Sequence, residues 1–296
     1  MLNDAEHLII DEVPQGAFRS LVIAYAGWPD AAEGATTTLK YLIRHLHAKR
    51  FAYIEPEEFY IFSQERPRSS RSSDGTRRIH WPSNEFYYWN DPRDSTNGIM
   101  LLTGVEPNLR WKTFSKLIAD LAKEYKISNI IHLGALLDSV PHTRRIRMTG
   151  SSTDATLQGT LENSDVRTST YQGPTGISTA VMEACAEQGI GYASLWAHTS
   201  HYLQAAPNYR TSFTLAENLV RLLNLPLDLE ELRSAAETFD REVTKAIDKD
   251  NQLQEYINKL EIKYDESSTS LELTSPSEIV DELEQFLKAN RRDDGT

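Results

Sequence analysis

The stretch "LVIAYAGWPDAAEGATTTLKYLIRHL", residues 21–46, decides the fold. It opens as a near-continuous apolar run and turns at Gly27-Trp28-Pro29-Asp30. Beyond the turn, Ala32, Ala35, Leu39, Leu42, Ile43 and Leu46 fall three or four apart. Apolarity without strict alternation marks a strand covered on both faces, and the later spacing marks a helix with one apolar stripe. Strand, turn and helix in this order begin a layered α/β unit. Asp30 and Glu33 have capping-box spacing at the helix start. The turn has one glycine where a phosphate cradle has several. Trp28 therefore reads as a packing plug at the mouth of the sheet, in preference to a stacking surface for a ligand.

The same strand character recurs at "GIMLLTG" (98–104), "NIIHLGALL" (129–137) and "GYASLWA" (191–197). Between these runs, Trp111, Phe114, Leu117, Ile118, Leu121 and Tyr125 form a second helical stripe, and a further helix is predicted to open at Gly173-Pro174 and close at Gly189. The expectation is a three-layer α/β domain, with a mostly parallel or mixed sheet and helices on both faces. The aromatic-rich "FAYIEPEEFYIF" (51–62) and "RRIHWPSNEFYYWN" (77–90) predict extra antiparallel strands. Between them, Arg66, Arg68, Arg71, Arg77 and Arg78 lie among serines, and this insert reads as a mobile, solvated loop in preference to an anion- or partner-binding arm.

A chain of 296 residues buries a sizeable core without staples. The lone Cys185, in a helix-like segment, reads as apolar filler. The acidic N-terminus has too short an apolar run for a signal peptide, and no stretch approaches the roughly 18 apolar residues of a membrane span. A cytoplasmic protein without membrane contact is expected. The net charge of −12 argues against a general nucleic-acid binder. That charge is uneven: residues 226–296 hold 19 acidic and 9 basic side chains. The chain thus divides into an α/β domain, 1–225, and an acidic helical extension, 226–296. In the extension, Leu229, Leu232, Ala236, Phe239, Val243, Ala246, Leu253, Ile257, Leu260 and Tyr264 form a seam interrupted near "DKDN" (248–251), so that one helix or two are open. Ile279, Leu283, Phe286 and Leu287 offer a further stripe. The extension folds back on itself, pairs with a partner chain, or caps the domain.

Ligands of parallel sheets collect where strands end. Four exits are legible: Trp28 and Asp30, then Glu106, then Asp138 to Arg144, then His198 to Tyr202. "LLDSVPHTRR" gathers Asp138, His142, Thr143 and Arg144, residue types suited to proton transfer and anion binding, or simply to bonding loop backbone. His198 and His201, with Asp138, are metal-ligating types, yet no third ligand sits at a diagnostic spacing, so neither metal nor cofactor is assigned. Gly173 and Gly176 in "YQGPTGIS" open a helix, either toward an anion or for close packing, the latter preferred. No lysine follows to make a P-loop, and no Gly-x-Ser-x-Gly elbow is present.

In order, "GWPDAAEGA", "HLGALLDSVPHTR", "GPTGIS" and "GIGYASLWAHTSHYLQAAPN" followed by "SFTLAENLVRLL" resemble the PAC2 family, which includes the proteasome assembly chaperone 2 proteins. The resemblance covers about residues 10–225. It implies a phosphorylase/hydrolase-like fold, self-association or association with a related chain, and a chaperone role toward proteasome α subunits. The hydrophobic-Tyr-any tail of some members does not match Asp293-Asp294-Gly295-Thr296. Two functions are carried forward. The preferred one is a non-enzymatic, oligomeric assembly protein with a protein client. The alternative is an enzyme or sensor for a nucleoside-like, phosphorylated or carboxylate ligand, with Asp138, His142, Arg144 and His198 as working groups; Trp28, Asp30, Glu106, Thr143, Gly173, Gly176, His201 and Tyr202 would line its cleft.

Overall fold

A computed structural model describes residues 7–267 apart from residues 170 and 204. The stripe at 277–289 lies outside the described residues. The strands are β1 (Leu8–Ile10), β2 (Phe18–Ala26), β3 (Lys49–Ile54), β4 (Arg68–Arg71), β5 (Arg77–His80), β6 (Asn84–Trp89), β7 (Gly98–Val105), β8 (Asn129–Asp138), β9 (Met148–Ser152), β10 (Val166–Arg167) and β11 (Gly191–Ser200). The helices are α1 (Gly34–His45), α2 (Trp111–Glu124), α3 (Ala155–Glu162), α4 (Ile177–Gln188), α5 (Tyr209–Leu223), α6 (Glu230–Ile247) and α7 (Asn251–Ser267).

Nine strands form one sheet in the order β1-β3-β6-β7-β2-β8-β11-β9-β10. The four apolar runs are its adjacent central strands, and β7, β2, β8 and β11 run parallel. The aromatic-rich segments supply β3 and β6, which add to the β7 side antiparallel. Along β2 the side chains alternate between two cores. Leu21, Ile23 and Tyr25 join Phe114 and Ile118 of α2 and Val181 and Cys185 of α4. Val22 and Ala24 join Leu39 of α1, Leu157 of α3 and Leu215 and Leu219 of α5 on the opposite face. Period-two alternation between two apolar layers is the reason this strand reads as continuously apolar. The three-layer α/β expectation holds.

Between β8 and β11, Gly134 faces Trp196 in register. A Cβ at Gly134 would stand 2.4 Å from the Trp196 ring, so the indole lies flat against bare backbone.

The arginine-serine insert is an antiparallel hairpin, β4 with β5, where a loop was expected. Its turn closes by Gly75 N–H donating to Ser72 O, with Gly75 at φ +85°. Both strands are exposed throughout, so no apolar face betrays them. At "DKDN" the chain breaks into two helices, α6 and α7, and Asp250 caps α7 by accepting from Gln252 and Leu253 N–H. α6 docks on α5, with Leu232 in the second core. Val243, Ile247 and Ile257 bury a small third core against Tyr202 and Leu203 of the α/β body. Leu232, Val243, Ile247, Ile257 and Leu260 are buried on the chain itself, whereas Ala246 of the seam is exposed. Among the described residues no helix is long and apolar enough to cross a membrane.

Candidate functional site

Parallel central strands bring the four exits to one rim, in two halves. In the first half, β2 ends at Gly27, whose φ of +114° turns the chain, and Ala135 N–H donates to Pro29 O at 2.9 Å. That bond draws Pro29 and Asp30 onto β8 while Trp28 swings outward. Trp28 is 62 % exposed, so it does not plug the sheet; its ring lies against Gly176, where a Cβ would stand 3.2 Å from it. Asp30, buried, caps α1 without the reciprocal Glu33 bond expected. A 3-10 turn, Ala31–Glu33, intervenes, and the Asp30 carboxylate accepts from Ala35 and Thr36 N–H at 2.7 and 3.2 Å and from the Thr36 hydroxyl. Burial raises its pKa, and those bonds oppose the shift.

α4 opens at Ile177, later than the predicted Gly173-Pro174, because Glu106 accepts the Ile177 N–H at 2.8 Å and fixes the first turn. A carboxylate of the chain itself thus occupies the helix N-terminus. Burial pushes the Glu106 pKa up, opposed by the N–H groups of Ile177 and Trp28. Gly173 lies under Tyr171, whose hydroxyl donates to Pro174 O at 3.1 Å. Tyr171 is 47 % exposed, and Leu137 at the end of β8 is 46 % exposed.

The second half is sealed. Asp138, at the end of β8, and His198, in the neighbouring β11, are each 2 % exposed, and His198 Nδ1 meets Asp138 Oδ2 at 2.7 Å. His198 Nε2 lies 3.0 Å from the hydroxyl of Thr149, in β9. Burial alone would raise the Asp138 pKa, but His198, Arg147 at 3.8 Å and the Ser139 N–H at 2.7 Å outweigh it. The carboxyl therefore titrates below its ordinary range. Both ring nitrogens of His198 are thereby engaged, Nδ1 by the Asp138 carboxylate and Nε2 by the Thr149 hydroxyl. This is the order of a hydroxyl, a base and an orienting acid, closed off in the interior. The space beside it, about 20 Å³ between His142, His198 and Phe239, has room for a single water.

α7 supplies the seal. Thr143 donates to Glu261, and Arg144 grips Asp265 through two bonds of 2.9 and 2.8 Å, with Glu261 at 3.3 Å. Tyr256 OH meets His201 Nε2 at 3.0 Å, while His201 Nδ1 faces Asp138 O. His142 shares its N–H and Nδ1 with the Tyr202 hydroxyl, each at 2.7 Å. Burial lowers the His142 pKa, opposed by Glu261, and raises that of Tyr202. Among the described residues no group of three or more His, Cys, Asp or Glu side chains converges as a metal site.

Thus Asp138 and His198 meet directly; His142, Arg144, Thr143, His201 and Tyr202 gather under α7; and Trp28, Glu106, Gly173 and Gly176 form a separate cluster. Thr149 and Tyr256 had no sequence signal, since each lies in a polar stretch remote from its partner. His132 was hidden inside "NIIHLGALL": it is fully buried between Tyr25 and Trp196, and neither ring nitrogen has a hydrogen-bond partner.

The PAC2 family model matches residues 24–247. A PAC2 family protein from Streptomyces avermitilis is 30% identical, with a TM-score of 0.71, over 80% of this chain and 99% of that one. A proteasome-assembly chaperone homologue from Mycobacterium tuberculosis is 29% identical, with a TM-score of 0.72, again over 80% and 99%. An archaeal proteasome activator from Pyrococcus furiosus shares the fold at 17% identity and a TM-score of 0.65, over 81% and 97%. No curated protein matches the sequence.

Proposed function

Because the chain belongs to the PAC2 family, we propose that it is a chaperone-like assembly protein, acting through protein contacts and self-association. The single observation that carries this reading is the division of the rim. The half bearing Asp138, His142 and His198 lies beneath α7, while the other half presents Trp28 and the nearby Tyr171 to solvent. A tryptophan 62 % exposed beside a fixed helix start is a rigid anchor of the kind that dominates protein interfaces. The similarity to a proteasome-assembly chaperone homologue supports a protein client. The described part of the extension, residues 226–267, serves in this reading as a cap.

Co-elution of the full chain with isolated proteasome α subunits tests the client. Wild type is expected to shift the subunits to a larger complex and Trp28→Ser to fail; no shift with either chain would remove the client from the proposal. One observation favours a second, enzymatic reading, the Asp138–His198–Thr149 alignment. Hydrolysis of an activated ester by wild type, lost in Thr149→Val, would support it, and equal rates would dismiss it.

A further inference from the structure

The hairpin of β4 and β5 and its approach carry arginines that nothing in the described chain neutralises. Arg66, Arg68, Arg71, Arg77 and Arg78 are exposed, and among the described residues none has a carboxylate within ion-pair distance. Arg44, Arg93 and Arg110, by contrast, hold Glu231, Asp91 and Glu58. In a chain of net charge −12, five unmatched guanidinium groups on one arm are a local reversal of sign.

Residues opposite one another in an antiparallel pair share a face. The register Arg71↔Arg77 and Ser69↔Ile79 therefore sets two guanidinium groups side by side at the turn end of one face, with Ile79 next along it. Trp81 takes the following alternate position, its ring 4.8 Å from Phe62 at the base of the hairpin. Ile79 is 57 % exposed and Trp81 47 %. Like charges directly opposite destabilise a strand pair, and a two-stranded hairpin by itself is marginal. An occupant that brings carboxylates to the arginines and apolar side chains to Ile79 and Trp81 relieves both.

The chain's own acidic extension is within reach. β6 opens at Asn84, opposite Gly104 near the end of β7, so the hairpin rises from the rim of the sheet. α7 ends at the same rim, where Asp265 grips Arg144 in the loop after β8. Three strand spacings, about 15 Å, separate β8 from β6, and the chain from Ser267 to Ser277 spans up to about 33 Å. Beyond it, the spacing of Ile279, Leu283, Phe286 and Leu287 makes one apolar stripe, with Glu278 and Glu282, four apart, along its side. We propose that segment 277–289 docks on this face of the hairpin, its stripe on Ile79 and Trp81 and its glutamates at Arg71 and Arg77. The contact is self-blocking: an acidic partner binds the hairpin only by displacing the segment.

Hydrogen exchange of the hairpin amides, residues 68–80, in the full chain tests this. Wild type is expected to exchange at least about tenfold more slowly than Arg71→Glu/Arg77→Glu, a variant that keeps a like-charged opposed pair. Glu278→Lys/Glu282→Lys is expected to lose the same protection, and a chain combining both pairs to regain it. Asp4→Lys/Glu6→Lys, changing the acids that precede β1, should exchange as wild type does. Equal exchange in wild type and Arg71→Glu/Arg77→Glu, or no recovery in the combined chain, overturns the proposal. So does protection that falls on dilution, which seats a second copy's segment, or protection lost in Asp4→Lys/Glu6→Lys, which seats the N-terminus.

Discussion

His132→Leu is predicted to remove a pH dependence built into the centre of the sheet. The imidazole is fully buried in β8 between Tyr25 and Trp196, with no hydrogen-bond partner at either nitrogen. Burial pushes its pKa down from 6.5 to about 3. In the unfolded chain the ring takes up a proton near pH 6.5, whereas in the folded chain it does so only near pH 3. Stability is therefore fully present above pH 6.5 and falls as the pH drops toward 3. Linkage gives a loss of about 2 kcal/mol between pH 7.5 and pH 5, with a slope approaching about 1.4 kcal/mol per pH unit. Leucine has similar volume and no polar atom, so at pH 7.5 the variant should be more stable by about 1–3 kcal/mol, the desolvation cost of an unpartnered polar group. Urea unfolding of both chains at pH 7.5, 6 and 5, followed by far-ultraviolet circular dichroism, measures the difference. A wild-type-minus-variant difference that stays constant with pH would refute the reasoning.

Other substitutions probe the sealed half of the rim. Asp138→Ala, which strips His198 and Arg147 of a buried carboxylate, is predicted to cost about 3–5 kcal/mol in thermal or urea unfolding; a loss below 1 kcal/mol would mean the pair is not buried as described. Tyr256→Phe removes the hydroxyl on His201 Nε2 and should cost about 1 kcal/mol. It should also speed amide exchange in α7 while β8 stays protected; uniform protection in both elements would contradict the capping role of α7.

The central sheet was legible because double-sided burial leaves one signature: β2, β7, β8 and β11 have apolar side chains on both faces, and such runs need no alternation to be seen. The hairpin was legible only where β5 falls in the aromatic-rich 77–90, since β4, wet on both faces, carries no period, and β9, β10 and α3 lie in a serine- and threonine-rich stretch with few apolar residues. The rim was foreseen from the strand order alone. Its division was not. Glu106 reaching the Ile177 N–H and α7 reaching Arg144 join residues 71 and 121 positions apart, and pairings at that range have no local spacing. The outward turn of Trp28 depends on one bond from Ala135 to Pro29, equally silent in the sequence.

Light scattering after size exclusion, on wild type and Trp28→Ser at matched concentration, tests most directly whether the exposed half of the rim is an interface. Wild type should run at a multiple of the 33.6 kDa chain mass and Trp28→Ser at a single chain mass, with circular dichroism unchanged. A wild-type chain that is monomeric, or a variant that assembles as wild type does, would contradict the account.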